Sequence, residues 1–440
     1  MQVSSVRATM IYRVPRLDQW LAVSLLLVAA LVVVRYGGEL RPIIAFLPLP
    51  AAVAVAAIRK SPPAAAAALP LICIVVDGLL VHVHRQTPVR LSTLVVVVLL
   101  WTHLASRARF HLPVVPLVVW LCLLLAANYA LVALPSGSKT DYKLLALLFE
   151  GFVVAMVMAS VRPDPQLVLA GIVISALVVS YFAFFPEYVT GGRPYALGLD
   201  PNYIGTILAV GITATATLSR VRGSLLTLVL VVPMLAGMVQ VQGRSSVLAA
   251  AVGLIAVLSL SPDRLRGLLI LGVAACFILS GYLFGVRPGY GMFTERRKDT
   301  RESARIREEL TLVSVNAVKS APTTGVGLGV VETLAKLDPS LNETIVSHNE
   351  YLRIAADAGL PALAGLLLIL GVPAVAGVTS SRRRSSAALL WPSLAACLVA
   401  MGFLNVLDNA QMATLIMGIA GAAWGSVDLR QLGRSKKSLP

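Results

Sequence analysis

Residues 346–372 read VSHNEYLRIAADAGLPALAGLLLILGV and join a short polar motif to a long apolar run. The motif contains His348, Asn349 and Glu350, and from Ile354 the chain becomes an almost unbroken apolar run. A helix needs about 20 predominantly apolar residues to cross the hydrocarbon core of a bilayer. The stretch therefore predicts a membrane-spanning helix with titratable side chains near one of its ends.

The rest of the 440-residue chain has the same apolar character. Hydrophobic residues make up 58% of the sequence and charged residues only 13%, and the mean hydropathy is +0.84. One globular core cannot bury so much apolar surface, and helices satisfy their own backbone hydrogen bonds in lipid. The composition therefore predicts an all-α integral membrane protein.

Apolar runs of spanning length recur along the chain and predict about 12–14 transmembrane helices. The candidate runs are 18–35, 42–58, 62–82, 91–105, 113–134, 143–161, 166–185, 202–218, 223–241, 245–260, 265–285, 350–377, 387–406 and 409–425. Two closely spaced runs could form a single tilted or re-entrant element, so the predicted number of helices is a range of about 12–14. The longest polar interval divides the chain into an N-terminal bundle (1–285), a loop (286–348) and C-terminal membrane helices with a basic tail (349–440).

Lys and Arg between the runs predict the orientation, because basic residues collect on the cytoplasmic side of a membrane. Three arginines before the first run place the N-terminus there. The basic connections at 59–60, 106–111, Arg162, 219–222, 263–266 and 381–386, and the basic segment RSKK near the C-terminus, then fall on the same side. The opposite side receives the polar segments 187–203, 241–246 and 286–348, and we expect the chemistry on that side.

The net charge of +16 is explained by this topology and by contact with anionic membrane lipids, so we expect no nucleic-acid partner. The four cysteines all lie within apolar runs, without a Cys-x-x-Cys pair. A disulfide framework and a zinc site are therefore not predicted. The sequence predicts neither a metal site nor a cofactor.

Within the loop, residues 295–320 have the periodicity of an amphipathic helix. The apolar positions are Ile306, Leu310, Val313 and Ala317. Arg297, Arg301 and Arg305 form a basic stripe at four-residue spacing, and Arg307 falls nearer the apolar edge. Two interpretations remain open, a solvated face that touches lipid headgroups and a surface that binds an anion.

The segment APTTGVGLGVVE (321–332) contains three alternating glycines. No strand precedes them, and their spacing differs from that of nucleotide-binding loops. The segment therefore favours a compact turn that returns the chain to the membrane over a phosphate-binding loop.

Three further polar side chains lie at membrane boundaries on the side of the loop: Arg193, Arg244 and His348. Arg244 stands between two apolar runs, so its guanidinium either snorkels to the interface or pairs with an anion. Guanidinium groups bind phosphate oxygens in bidentate fashion, and an imidazole with a pKa near neutral can take a proton from an alcohol. We expect His348 to begin a helix that Ser347 caps. Together these residues predict a pocket for a multiply negative headgroup with a base beside it.

Four segments of the chain resemble the O-antigen ligase and polymerase superfamily, most closely its O-antigen ligase (WaaL) branch. They are GRPYALGLDPNYIGTILAVGI (192–212), VQGRSSVLAAAVGLIAV (241–257), SARIREEL with NAVKSAPTTGVGLG (303–329), and SHNEYLRIAADAGLPALAGLLL (347–368). The resemblance covers about residues 190–370. The sequence departs from the family pattern at Thr311, where an aromatic residue is usual.

This resemblance implies a GT-C-like glycosyltransferase that moves O-antigen polysaccharide from undecaprenyl diphosphate to the lipid A core oligosaccharide. The reaction would take place at the periplasmic face of a Gram-negative inner membrane during lipopolysaccharide biosynthesis. It implies His348, Arg244 and Arg307 as catalytic residues. The remaining diphosphate-binding candidates are Arg193, Arg297, Arg301, Arg305, Asn202 and Asn349. Since no Asp-x-Asp pair occurs on that face, we expect metal-independent transfer, with inversion at the anomeric carbon.

Alternatives remain. An O-antigen polymerase and a pilin O-oligosaccharyltransferase belong to the same superfamily and would use the same diphosphate pocket. A secondary transporter belongs to a different class, and it would place ionisable residues at mid-membrane. Asp77 and Glu150 do lie in apolar runs, where they serve either such a role or buried, hydrogen-bonded packing.

Overall fold

A computed structural model describes residues 61–84, 90–106, 139–185, 189–190, 193–241, 243–258, 260, 292–331, 348–380 and 385–427. Within these ranges the chain is helical apart from turns and one hairpin of two-residue strands. The predicted runs 18–35, 42–58, 113–134 and 265–285 lie outside the described residues. The all-α membrane class is confirmed.

The N-terminal part of the described chain contains six α-helices. They are α1 (Pro62–Ala67), α2 (Leu69–Leu71), α3 (Asp77–His84), α4 (Leu91–Ala105), α5 (Lys139–Val161) and α6 (Pro165–Phe182), with a π-helical segment at Ile72–Val76 between α2 and α3. Strands β1 (Val189–Thr190) and β2 (Arg193–Pro194) then form an antiparallel pair.

The C-terminal part begins with α7 (Pro201–Arg222), a 3-10 segment (Leu225–Leu230), α8 (Val231–Val241) and α9 (Arg244–Leu258). The loop helix α10 spans Met292–Ser320. After it come α11 (Glu350–Ala358), α12 (Leu360–Thr379), α13 (Ser386–Met401), a 3-10 turn (Val406–Asp408) and α14 (Ala410–Trp424).

Four of the described helices are long and apolar enough to cross a membrane: Leu144–Val161 within α5, α6, α7 and α12. Shorter apolar helices correspond to most of the other predicted runs, and α4 has the predicted bounds of 91–105. The predicted run 350–377 is wrong as a single span, because Gly359 divides it into the polar α11 and the apolar α12. Gly359 adopts φ of +88°, a conformation that ends a helix, and Pro361 starts the next one.

Helix α7 is almost completely buried and packs against α6, α8, α9 and α13. Small residues allow these close approaches, as is common for helices in membranes. A Cβ on Gly211 would overlap Ala176 of α6, and one on Gly205 would overlap the Ser246 hydroxyl of α9. The first turn of α7 and the start of α9 are therefore neighbours.

The ends of the helices form two groups of connections, at opposite ends of the bundle. At the basic end, Gly425 packs against the side chain of Arg162, and the amide of Ala387 donates to Ser426 Oγ at 2.7 Å. Arg220 and Arg222 in the last turn of α7 add charge there. At the loop end, Tyr203 Oη donates to the carbonyl of Asn405 at 3.0 Å, joining the start of α7 to the 402–409 turn.

Asp77 and Glu150, the two acids considered above for a transporter role, are hydrogen-bonded within the bundle. Asp77 accepts hydrogen bonds from the amide of Leu91 at 2.7 Å and from the amide and hydroxyl of Ser92, so it caps the N-terminus of α4. Glu150 pairs with Arg90 at 2.7 Å and accepts from Thr93 Oγ1 at 2.6 Å. These contacts favour the packing interpretation of both acids over an ion-coupling role.

Candidate active site

His348 immediately precedes α11, and its neighbour Asn349 caps that helix. The Asn349 side-chain oxygen accepts a hydrogen bond from the amide of Leu352 at 3.0 Å. This arrangement corrects the expectation that His348 starts the helix and that Ser347 caps it, since the helix begins at Glu350 and Ser347 lies outside the described residues. Asn caps well because its short side chain reaches a free amide of the first turn.

The amphipathic loop helix is confirmed as α10, which lies against α11. Leu310 and Ala317 are buried, and Ile306 and Val313 are half-buried around them. Ala317 packs in one apolar cluster with Ala356 of α11 and with Val331. This packing joins the C-terminal parts of α10 and α11.

The imidazole of His348 is neutral at neutral pH. Burial of the half-buried ring, and secondly the positive charge of Arg307, lower the pKa of His348 to about 4. Arg307 therefore acts on His348 electrostatically, and the pKa of His348 lies below the near-neutral value expected from the sequence. A neutral imidazole can accept a proton from a hydroxyl group.

Both described arginines of the loop helix present their side chains to solvent. Arg305 lies 3.7 Å from Glu309 in an exposed i,i+4 pair. Arg307 is also exposed, and its positive charge still lowers the pKa of His348. An exposed ion pair at this distance contributes little to stability. The side chains of Arg297 and Arg301, which belong to the same helix, lie outside the described part of the chain.

Arg244 is the first residue of α9, and only two residues separate it from Val241 at the end of α8, as the predicted tight link requires. Asp200 caps α7 by accepting hydrogen bonds from the amides of Asn202 and Tyr203 at 2.7 and 3.1 Å. Because Ser246 touches Gly205, the backbone of Arg244 lies close to this first turn of α7. Arg193 is the first residue of β2. The side chains of Arg193 and Arg244 lie outside the described residues.

A buried ionic cluster, which we did not predict from the sequence, lies beneath the start of α11. Arg353 is 3% exposed, pairs with Asp408 at 2.6 Å and also hydrogen-bonds to Glu350. Glu350 in turn accepts from the amide of Leu407 at 3.0 Å. A signal was present in the sequence, because ionisable residues at the edges of apolar runs usually pair with one another.

This cluster joins the elements that carry the predicted site residues. Glu350 and Arg353 hold the 406–408 turn, and Tyr203 holds the same connection through Asn405. The chain segments of His348 and Asn202 therefore meet at the loop end, and α9 brings Arg244 to the same end. The structure thus places the backbones of His348 and Arg244 on one side of the bundle.

The alternating glycines form the predicted compact turn. Gly325, Gly327 and Gly329 have φ of +69°, +112° and +78°, which glycine tolerates best. The amide of Gly327 donates to the carbonyl of Asp357 at 3.0 Å, and the amide of Gly329 donates to the Asp357 carboxylate at 3.2 Å. Both amides therefore bind Asp357 of the protein itself, one through its backbone carbonyl and the other through its carboxylate.

Among the residues that the structure describes, no group of three or more His, Cys, Asp or Glu side chains is arranged to hold a metal ion. Cys73 and Cys397 are buried free thiols.

Residues 226–367 match the family model Wzy_C, which is described as O-antigen ligase. The match contains Arg244, Arg307 and His348, and it runs from the 3-10 segment through α10 and α11 into α12. A comparison with curated proteins finds no match to the chain.

Proposed function

We propose that this membrane protein, whose residues 226–367 match the O-antigen ligase family model, is an O-antigen ligase. Enzymes of this family are glycosyltransferase-like and act on lipid-linked glycans. The proposed donor is O-antigen polysaccharide on undecaprenyl diphosphate, and the proposed acceptor is the lipid A core oligosaccharide. The observation that carries the proposal is the family match over residues 226–367, which contains Arg244, Arg307 and His348.

In the proposed reaction, a hydroxyl group of the acceptor attacks the anomeric carbon of the donor glycan. A new C–O bond forms there while the bond to the diphosphate breaks, and undecaprenyl diphosphate leaves with the electron pair. His348 receives the proton of the attacking hydroxyl. One direct displacement of this kind inverts the anomeric configuration.

The arginines stabilise the negative charge that grows on the departing diphosphate. Arg307 and Arg244 are the proposed principal contacts, because one acts on His348 and the other begins α9 at the same end. Further proposed contacts are Arg193, Arg297, Arg301, Arg305, Asn202 and Asn349. Guanidinium groups would then do what a divalent metal does in other glycosyltransferases, so transfer should survive EDTA.

Donor binding should also activate the base. In the free protein, burial is the larger cause of the low pKa of His348, and the positive charge of Arg307 lowers this pKa further. A bound diphosphate would neutralise the field of Arg307 and raise the affinity of His348 for a proton. The base would thus become stronger only when the leaving group is in place.

We place the active site on the periplasmic face of a Gram-negative inner membrane. The distribution of charge supports this orientation, because Arg162, Arg220 and Arg222 collect at the end of the bundle away from α10 and α11. The proposed partners besides the two substrates are membrane lipids.

The test is transfer by the purified chain in lipid nanodiscs, with lipid-linked O-antigen and lipid A core as substrates. We expect a lipopolysaccharide ladder from the wild type and none from His348→Ala. His103→Ala, in the last turn of α4, is the matched control and should retain transfer. Lengthening of the lipid-linked glycan without transfer to the core would instead indicate a polymerase, and transfer to pilin an oligosaccharyltransferase.

Deletion of the gene separates the same alternatives in cells. Loss of the whole ladder with accumulation of lipid-linked polymer is the result expected for a ligase. A core that carries a single repeat unit would overturn the ligase proposal in favour of a polymerase.

A further inference from the structure

The two groups at the centre of the proposed reaction lie on different elements. His348 precedes α11, whereas Arg307 lies on α10, and the charge of Arg307 reaches His348 across the interface between these helices. The position of Arg307 relative to His348 therefore depends on whatever holds α10 against α11.

Apolar packing alone holds this interface weakly. The cluster that joins the two helices contains three buried apolar side chains, two of them alanines: Ala317, Val331 and Ala356. Alanine contributes little buried area, so such clusters stabilise a helix contact far less than layers of leucine would. A polar attachment must complete the interface.

Asp357, in the last turn of α11, provides that attachment. Its side chain is 1% exposed, and its carboxylate accepts a hydrogen bond from the backbone amide of Gly329 at 3.2 Å. Its own carbonyl accepts from Gly327 at 3.0 Å, and the carbonyl of the preceding Ala356 accepts from Val326 at 2.9 Å. The turn that follows α10 is thus bonded to α11 along its length.

This attachment leaves no room for displacement. A Cβ on Gly325 would overlap the backbone of Asp357, and a Cβ on Gly359 would overlap the carbonyl of Thr323. The amide of Leu360 also donates to the carbonyl of Pro322 at 2.8 Å. Backbone lies directly against backbone from the end of α10 to the start of α12.

We propose that Asp357 is a positioning residue, which fixes Arg307 opposite His348 by binding the amides of the 325–331 turn. We call the position of Arg307 relative to His348 the register. Its role in catalysis rests on the proposed function, but the register itself does not. Asp357 is too deeply buried to touch a substrate, and it acts through the turn and α10.

The register can be measured without any glycan. Diethyl pyrocarbonate reacts with a histidine side chain only when the imidazole is neutral. The rate of His348 modification is measured at a series of pH values by mass spectrometry of the peptide, and its dependence on pH gives the pKa of His348. Wild type should give half-maximal reactivity near pH 4. Arg307→Gln should move the midpoint upward, and an increase from pH 4 to pH 5 would lower the rate at pH 4.5 by about 3-fold.

Asp357→Asn should move the midpoint in the same direction as Arg307→Gln, although both Arg307 and His348 are still present. Gly329→Ala is the second variant. Gly329 has a positive φ that strains any residue with a side chain, so the substitution should displace the Gly329 amide while Asp357 itself is unchanged. The matched control is Asp164→Ala, which also removes a carboxylate that binds an amide, but at the N-terminus of α6 at the other end.

An unchanged midpoint in folded Asp357→Asn or Gly329→Ala protein would overturn the proposal. Loss of folding in both variants would also overturn it, because the contact would then serve folding and not the register. A shifted midpoint in protein that never transfers glycan would leave the register standing and refute only the proposed function.

Discussion

The guanidinium of Arg353 lies 2.6 Å from the carboxylate of Asp408, and this ion pair ties α11 to the turn before α14. Arg353 also hydrogen-bonds to Glu350, and Asp357 lies within electrostatic range. One buried cation thus faces three carboxylates. Removing the cation leaves these carboxylates in a site that cannot solvate them.

Arg353→Leu should therefore destabilise the protein strongly. Breaking a buried pair by removing one partner typically costs about 3–5 kcal/mol. Thermal unfolding in detergent, followed by size-exclusion chromatography, measures the loss. The control is Arg305→Leu, which breaks an exposed pair at 3.7 Å and should cost less than ~1 kcal/mol. Equal melting of the two variants would contradict the cluster's structural role.

The pH dependence of transfer should show the low pKa of His348. A base must be unprotonated, and burial followed by the charge of Arg307 lowers the pKa of His348 to about 4. The acid limb of kcat/KM should accordingly lie near pH 4, below the ordinary histidine range around 6.5. Transfer measured from pH 3.5 to 8 checks this.

Arg307→Gln tests the assignment of that limb. The limb should move towards higher pH, because only burial then opposes protonation. An acid limb that stays at the same pH in this variant would mean that another group titrates.

The sequence predicted those features that depend on local periodicity. The bounds of α4, the amphipathic face of α10 and the turn at the alternating glycines all follow from spacing within one segment. The break at Gly359 was missed because small apolar residues continue on both sides of it, and the docked turn that requires a glycine there lies over 30 residues away in sequence.

The candidate site could be predicted only as separate residues. His348 and Arg307 stood out by residue type at a membrane boundary, but their electrostatic coupling depends on how α10 packs on α11. The pairing of Arg353 with Asp408 joins distant segments, and no local pattern encodes it. The Asp357 carboxylate was hidden within the apolar run for the same reason.

Asp77 should contribute to stability as a cap and not to transport. Asp77→Ala removes the acceptor for the amides of Leu91 and Ser92 and for the Ser92 hydroxyl. Loss of a helix cap costs about 0.5–2 kcal/mol, and unsatisfied buried donors add to this. We expect a lower melting temperature and no proton-coupled uptake by either protein in proteoliposomes. Uptake by the wild type that Asp77→Ala abolishes would favour the transporter.

The close approach of Gly205 to Ser246 should control where Arg244 lies. A Cβ on Gly205 would overlap the Ser246 hydroxyl and lie 2.9 Å from Ser246 Cβ, so Gly205→Ala must push the start of α9 away from α7. Overpacking of this kind costs about 1–3 kcal/mol. If Arg244 binds the diphosphate, the displacement should also raise the KM for the donor, measured in the nanodisc assay.

A second substitution makes the steric cause visible. Ser246→Gly removes the atoms that the new Cβ would meet, so it should restore the KM of Gly205→Ala at least in part, as a double-mutant cycle would record. Gly371→Ala in α12 is the matched control, because a Cβ there meets nothing within 4 Å, and it should leave the KM unchanged. Since alanine favours helix over glycine, that control should melt no lower than wild type. A donor KM that is normal in Gly205→Ala would separate Arg244 from donor binding.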